Sequence, residues 1–403
     1  MHRVVVTGLG AVSPIGKTAP DYWVGLASGT CGIGPLTIPY AEELNQKNAA
    51  EVKDFRPLDY FQDRQLSSLD RVSQFAIVAA REAITQSGLS FGDGLSERTA
   101  TIIGTGVGGH NTQDDSFRRV YRDNATRVFP LTIPKLMANA PASQISMHCG
   151  LRGPAFAVVS ACASATHAIG LAFHMVRSGA VSCAVTGGTE ACLTFGAMRG
   201  WEAMRVMAPE RCSPFSAGRL GMIVGEGAAV IVLETLESAR ARGAEILGEI
   251  IGFGMSADAA DLTAPDEGGM ARAIESALAD ARVATTDVQY INAHGTGTAA
   301  NDSTETAAIR RVFGAHADKL AMSSTKSMVG HALGAAGALE LVATLMGIRE
   351  GVAPPTIGYQ GKDPACDLDY VPNEARRMPI DVALSNSFAF GGLNATLAVR
   401  KAP

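Results

Sequence analysis

The chain has 403 residues, 44 of them glycine, with 47% hydrophobic and only 18% charged residues and a net charge of −5. Against about 150 residues per domain and about 7% glycine in ordinary proteins, this reads as a glycine-rich, charge-poor globular chain of about two or three domains, or one large duplicated one. Such a composition excludes a disordered chain and a coiled coil, and the acidic balance argues against a nucleic-acid coat.

Short β-branched runs alternate with helical patterns along the chain. A strand over 3–7 opens it, without the apolar core of a signal peptide. A helix follows over 70–87 and a strand over 99–104, which runs into Gly104-Thr105-Gly106-Val107-Gly108-Gly109. That run fits G-x-G-x-x-G, but a dinucleotide site needs an amphipathic helix to open there. The next residues, His110 to Asp115, are polar and acidic, and acid repels a pyrophosphate, so a glycine turn at a strand end is the simpler reading. A helix over 133–148, a strand over 155–160, a helix over 163–178, strands over 181–186 and 228–233 and a helix over 235–242 come next. Strands over 246–252, 288–292, 382–385 and 395–399 and helices over 268–281, 303–313 and 332–349 complete the pattern.

Strand–helix alternation predicts an α/β architecture, and runs such as Ala155-Phe156-Ala157-Val158-Val159 are apolar on both faces, as in a sheet covered on two sides. The helix from Ala332 carries small residues on nearly every face, which predicts a place between two sheets. The chain restarts near residues 243–252 without a linker, dividing it into halves 1–243 and 244–403. No uninterrupted run of apolar residues is long enough to suggest a membrane span. The 7 cysteines form no C-x-x-C pair, so no zinc site or disulfide framework is expected, and reduced cytoplasmic thiols are the default.

Four segments carry chemistry. Cys162 stands in Ser160-Ala161-Cys162-Ala163-Ser164, between a buried strand and a largely apolar helix. It is either a core cysteine or a nucleophile displayed at an elbow, where helix N–H groups would lower the thiol's pKa. His294 stands in Asn292-Ala293-His294-Gly295-Thr296-Gly297-Thr298, a loop whose glycines bring backbone close to a ligand and whose hydroxyls can bond it. Lys326 and His331 precede the small-residue helix, where burying them is costly unless they are used or paired. Phe388 and Phe390 flank Ala389 before a Gly-Gly turn, as a hydrophobic gate or as core plugs. His167 and His174 read as helix-packing residues.

Taken together, these segments resemble the β-ketoacyl synthases, the condensing enzymes of fatty-acid and polyketide synthesis, and most of all the elongating type II synthases. The likeness spans the chain from Val5-Val6-Thr7-Gly8 to Phe390-Gly391-Gly392-Leu393-Asn394. It implies a thiolase-like fold of two pseudo-duplicated halves stacked as five layers, α-β-α-β-α, with Cys162, His294, Lys326 and His331 catalytic. Glu305 is implied as the buried carboxylate partner of Lys326, and Phe390 as gate and, with Cys162, as a source of oxyanion-hole N–H groups. Thr296 and Thr298 would bond the pantetheine arm, and Val107, Phe195 and Phe388 would contribute to substrate binding. Arg64, Arg71, Arg127 and Arg205 would meet an acidic acyl carrier protein. The resemblance further implies a homodimer, no metal, and no cofactor beyond the 4'-phosphopantetheine that arrives on the carrier protein. Ala165, Leu220, Met222 and Ala389 depart from the family's usual residues, which bears on substrate preference and loop mobility. Trp201 to Arg205 and Asp363 to Asp369 are similar to a specialised branch, the nodulation-type synthases. A thiolase, a non-catalytic chain-length factor and a dinucleotide oxidoreductase are the rival classes.

Overall fold

The computed structural model describes residues 1–92 and 94–403. Ten strands form one continuous ladder. From one edge it runs Ala155–Val158, Thr99–Gly104, Cys183–Glu190, Gly227–Thr235 and Val4–Val12. It continues through Gly248–Ala257, Leu393–Arg400, Val382–Ala389, Tyr290–Asn292 and Ala321–Ser323. Counted within its own half, each set of five has the order third, second, fourth, fifth, first, with the first three parallel and the last two antiparallel. The same topology twice is a duplication, and the halves meet where Val4–Val6 pairs antiparallel with Gly248–Ile250.

Helix Arg71–Ser87 covers the outer face of the first half and helices Glu267–Ala281 and Ala299–Phe313 that of the second. Helices Ser164–Arg177 and Ala336–Glu350 lie between the halves, so the layers run α-β-α-β-α, a thiolase-like fold. The second of these is buried all round from Ala336 to Leu345, as its small-residue pattern predicts.

Several elements differ from those predicted. The opening strand runs on to Val12 because Gly8 is a packing residue and not a turn: a Cβ there would lie 1.9 Å from the carbonyl oxygen of Ala83 in the covering helix. The helix expected over 133–148 is two, Thr132–Leu136 and Ala140–Cys149, because Pro141 lacks an N–H and crowds the preceding turn. A helix, His110–Tyr121, does open after the glycine run despite its polar start. Among the described residues no helix is long and apolar enough to cross a membrane.

Candidate active site

Cys162 sits in the turn Ala161–Ala163 that joins strand Ala155–Val158 to helix Ser164–Arg177. Ala161 holds a left-handed φ of 49°, a strained conformation for a residue with a Cβ. The Ser164 hydroxyl locks the turn, donating to the Ala161 carbonyl at 2.7 Å and accepting from the Ser160 N–H at 2.9 Å. The elbow expected from the sequence is present, but the thiol is not acidified. Burial pushes it up to about 12, and the Lys326 charge and the Phe390 N–H only partly oppose that.

His294 follows strand Tyr290–Asn292. Glu305 accepts the N–H groups of His294 and Gly295 at 2.9 and 2.8 Å, and Asp302 accepts that of Gly297 at 3.2 Å. The loop is thus hung from helix Ala299–Phe313, which Thr298 caps. His331 is held by its own N–H on the Ile223 carbonyl at 2.7 Å. Its Nδ1 accepts the N–H of Leu333 at 3.3 Å, and its Nε2 has no partner among the described residues.

Lys326 is 1% exposed. Its ammonium lies 3.3 Å from His294 Nδ1 and pairs with Glu340 of the central helix. The structure therefore corrects the expectation for Glu305: that carboxylate holds backbone, and the lysine's partner is Glu340. Burial, then the Lys326 charge, holds both imidazoles well below the ordinary histidine range, so both are neutral. With Nδ1 of each engaged, each carries its proton on Nε2.

The Cys162 sulfur and one nitrogen from each of His294 and His331 lie within 4.8 Å of one another. A soft divalent cation would fit that spacing, but it needs lone pairs. The site offers two N–H donors, a protonated thiol and a nearby ammonium, so the donor set does not suit a metal.

Cys162, His294 and His331 line one cleft of about 120 Å³, together with Thr296, Thr298, Phe388 and Phe390. Val107 and Phe195 do not line it. Val107 turns its N–H inward and its side chain out, 43% exposed, and Phe195 packs on Tyr40 with ring centroids 5.9 Å apart. The apolar walls are Trp201, Val206, Met222, Leu262 and Met270, residues the sequence reading did not single out as walls. Arg64, Arg127 and Arg205 are exposed. Arg71 is not a free surface charge: it pairs at 2.6 Å with Glu226, itself 2% exposed, and lies over the rings of Phe55 and Phe75.

The sequence matches the family description "Beta-ketoacyl synthase, N-terminal domain" over residues 1–239 and "Beta-ketoacyl synthase, C-terminal domain" over residues 247–360. The chain belongs to the β-ketoacyl synthase family. This synthase is 47% identical to Nodulation protein E of Rhizobium sp. (strain N33) over 400 residues, 99% of each chain. It is 44% identical to the 3-oxoacyl-[acyl-carrier-protein] synthase 2 of Synechocystis sp. over 407 residues, 99% of this chain and 98% of the relative. It superposes with a TM-score of 0.91, at 30% identity and over 100% of both chains, on a type II polyketide ketosynthase solved with its acyl-carrier protein and described as bound to the hexaketide (AntDE:AntF). The synthase is a condensing enzyme of the acyltransferase type.

Proposed function

We propose that the chain is a 3-oxoacyl-[acyl-carrier-protein] synthase that extends an acyl chain by two carbons of malonyl carrier protein. The observation that carries the reading is one thiol facing two neutral imidazoles whose free protons are on Nε2. Cys162 Sγ attacks the acyl thioester, its proton passes to the departing pantetheine sulfur, and the acyl group stays on Cys162. The N–H groups of Cys162 and Phe390 hold the oxyanion. Malonyl thioester then places its carbonyl oxygen between His294 and His331. The bond to the carboxylate breaks, CO₂ leaves, and the electron pair becomes an enolate whose oxygen accepts both Nε2–H donors. The carbanion attacks the acyl-Cys162 carbonyl, and the sulfur leaves and takes up a proton from solvent.

Lys326 serves by fixing His294, and Glu305 by fixing the His294 loop. Thr296 and Thr298 bond the pantetheine arm, Phe390 gates the cleft, and Phe388 packs beside His294 with ring centroids 6.1 Å apart. The carrier protein supplies the phosphopantetheine, and the ketosynthase solved with its acyl-carrier protein supports such a partner. Arg64, Arg127 and Arg205 are the basic residues offered to it.

A homodimer is supported by the open edge of strand Ala155–Val158, where Phe156 is 39% and Val159 56% exposed, and sedimentation of the purified chain tests it. The repeated strand order supports a division at residues 1–243 and 244–403. Free thiols at all seven cysteines support a cytoplasmic setting.

Labelled malonyl carrier protein tests the reaction. Release of labelled CO₂ with retention of the other labelled carbons in a β-ketoacyl product is expected, and loss of condensation in Cys162→Ala. Condensation that survives that substitution would overturn the mechanism. A specialised nodulation- or polyketide-type substrate is favoured by Trp201 in the cleft wall and by the likeness to Nodulation protein E. Intact-mass analysis of the Cys162 adduct across a panel of acyl carrier proteins separates that from a housekeeping chain.

A further inference from the structure

The glycine run after strand Thr99–Gly104 does present backbone N–H groups to an anion, but the anion is internal. Glu190, the last residue of strand Cys183–Glu190, is 0% exposed. One carboxylate oxygen accepts the N–H of Gly106 at 2.6 Å and that of Gly334 at 3.0 Å. The other accepts the Thr105 hydroxyl at 3.0 Å and the Val107 N–H at 3.4 Å. Gly106 and Gly334 come from different halves and touch closely: a Cβ on Gly334 would lie 2.2 Å from the Gly106 nitrogen. The neighbour of Gly334 is Leu333, at a left-handed φ of 45°, whose N–H is the donor to His331 Nδ1. Such strain persists only where surrounding bonds over-determine it.

We propose that Glu190 is a positioning residue for His331. By holding the Gly334 amide it keeps Leu333 in its left-handed conformation and the Leu333 N–H on His331 Nδ1. The imidazole proton is thereby confined to Nε2, on the side of Cys162. The proposal rests on the reading of His331 as a donor to the malonyl thioester oxygen. A carboxylate suits the place because it offers acceptor sites to donors from two loops at once. Burial pushes its carboxyl up to about 7 against those four donors, and its charge also raises the Cys162 thiol. Removing it should therefore not harm the thiol's ability to be acylated, which makes the expected defect selective.

The test compares Glu190→Leu with Glu190→Gln in the full chain. Gln can keep an oxygen toward Gly106 and Gly334 and turn its amide nitrogen toward the Thr105 oxygen, giving up only the 3.4 Å bond from the Val107 N–H, so it should rescue. Leu should lower malonyl decarboxylation by about tenfold or more while acylation of Cys162 stays near wild type, since a displaced donor weakens only the step it serves. Imidazole ¹⁵N shifts, assigned with His331→Ala, should show the Nε2–H tautomer in wild type and in the Gln variant, and a mixture of tautomers in the Leu variant. Equal losses in both steps, or an unchanged His331 tautomer in Glu190→Leu, would overturn the proposal. If Leu does not fold, Glu190→Asp, one methylene short of Gly334, must show the same split and tautomer change, and its absence overturns the proposal equally. A wild-type resting enzyme with the Nδ1–H tautomer overturns it without any variant. Should His331→Ala itself leave decarboxylation intact, it is the reading of His331 that fails. Should His331→Ala abolish it while folded Glu190→Leu retains it, the role given to Glu190 alone fails.

Discussion

Lys326 Nζ lies 3.3 Å from His294 Nδ1 while its charge is paired with Glu340, so a single buried cation fixes a histidine tautomer and is neutralised by the central helix. Breaking a buried pair by removing one partner costs about 3–5 kcal/mol, because the other charge is left without water. Lys326→Met and Glu340→Gln should each lose about that much in urea unfolding. The double variant Lys326→Met with Glu340→Leu should recover most of the stability and none of the decarboxylation. A double variant that recovers both would mean that Lys326 does not orient His294.

That pairing shows where the sequence was readable. Cys162, His294, Lys326 and His331 stand in short motifs whose small neighbours leave room for a ligand, so local composition marks them. Glu340 stands alone in an apolar helix, and a buried carboxylate there demands a cation; Glu305 is matched to the lysine only by the family resemblance, and the fold gives that place to Glu340. Arg71 looked like a free surface charge because its partner, Glu226, is remote in sequence and only the fold joins them. The walls of the cleft were invisible for the same reason. Trp201 and Leu262 lie on separate elements, and apolar residues carry no local mark of which cavity they face. The layering was legible because an all-small helix admits few environments, and the duplication from the restart near residues 243–252 and the family resemblance. The apolar run from Ala155 misled, since that strand is the sheet's edge and its residues are exposed or half-buried, not covered on both faces.

The Cys162 thiol sits at about 12 because burial outweighs the Lys326 charge and the Phe390 N–H. The thiolate fraction should then rise about tenfold per pH unit through the neutral and alkaline range. Alkylation of the Cys162 peptide by iodoacetamide, followed by mass spectrometry, should climb without levelling between pH 7 and pH 9. Cys31, exposed on the same chain, serves as an internal reference. A plateau for Cys162 near neutrality would show an ion pair that the resting geometry does not contain. The neutral histidines give a second expectation with the opposite sign. Their folded values lie well below 6.5, so they stay neutral as pH falls, and decarboxylation should not be lost through them near pH 6.

Arg64, Arg127 and Arg205 are exposed, whereas Arg71 is tied to a buried carboxylate. Charge reversal at the first three should raise KM for an acidic carrier protein, with little change in kcat, and the effect should fade as salt screens it. Arg71→Ala should instead strand Glu226 and cost about 3 kcal/mol of stability, leaving KM of the folded fraction unchanged. Steady-state kinetics across a salt series, beside urea unfolding, separates the two classes. A salt-sensitive KM defect in Arg71→Ala would return that residue to the docking surface.

Trp201 lies over Phe390 with ring centroids 6.4 Å apart and planes at 28°, and both face the cleft that holds Cys162. The indole therefore both narrows the acyl space and braces the residue proposed as gate. Trp201→Ala should widen the slot and favour bulky or branched acyl groups over straight ones by about tenfold in the ratio of kcat/KM, the scale of one or two methylenes in an apolar pocket. Ala389 makes the contrast. It ends strand Val382–Ala389, next to Phe390, and is 7% exposed. Ala389→Gly should loosen the gate at a cost of about 0.5–1 kcal/mol in stability, and should change kcat for all acyl groups alike. If Trp201→Ala also changes all acyl groups by one factor, its part is to brace Phe390 and not to shape the pocket. If Ala389→Gly alters chain preference, the position of the gate residue itself selects the substrate.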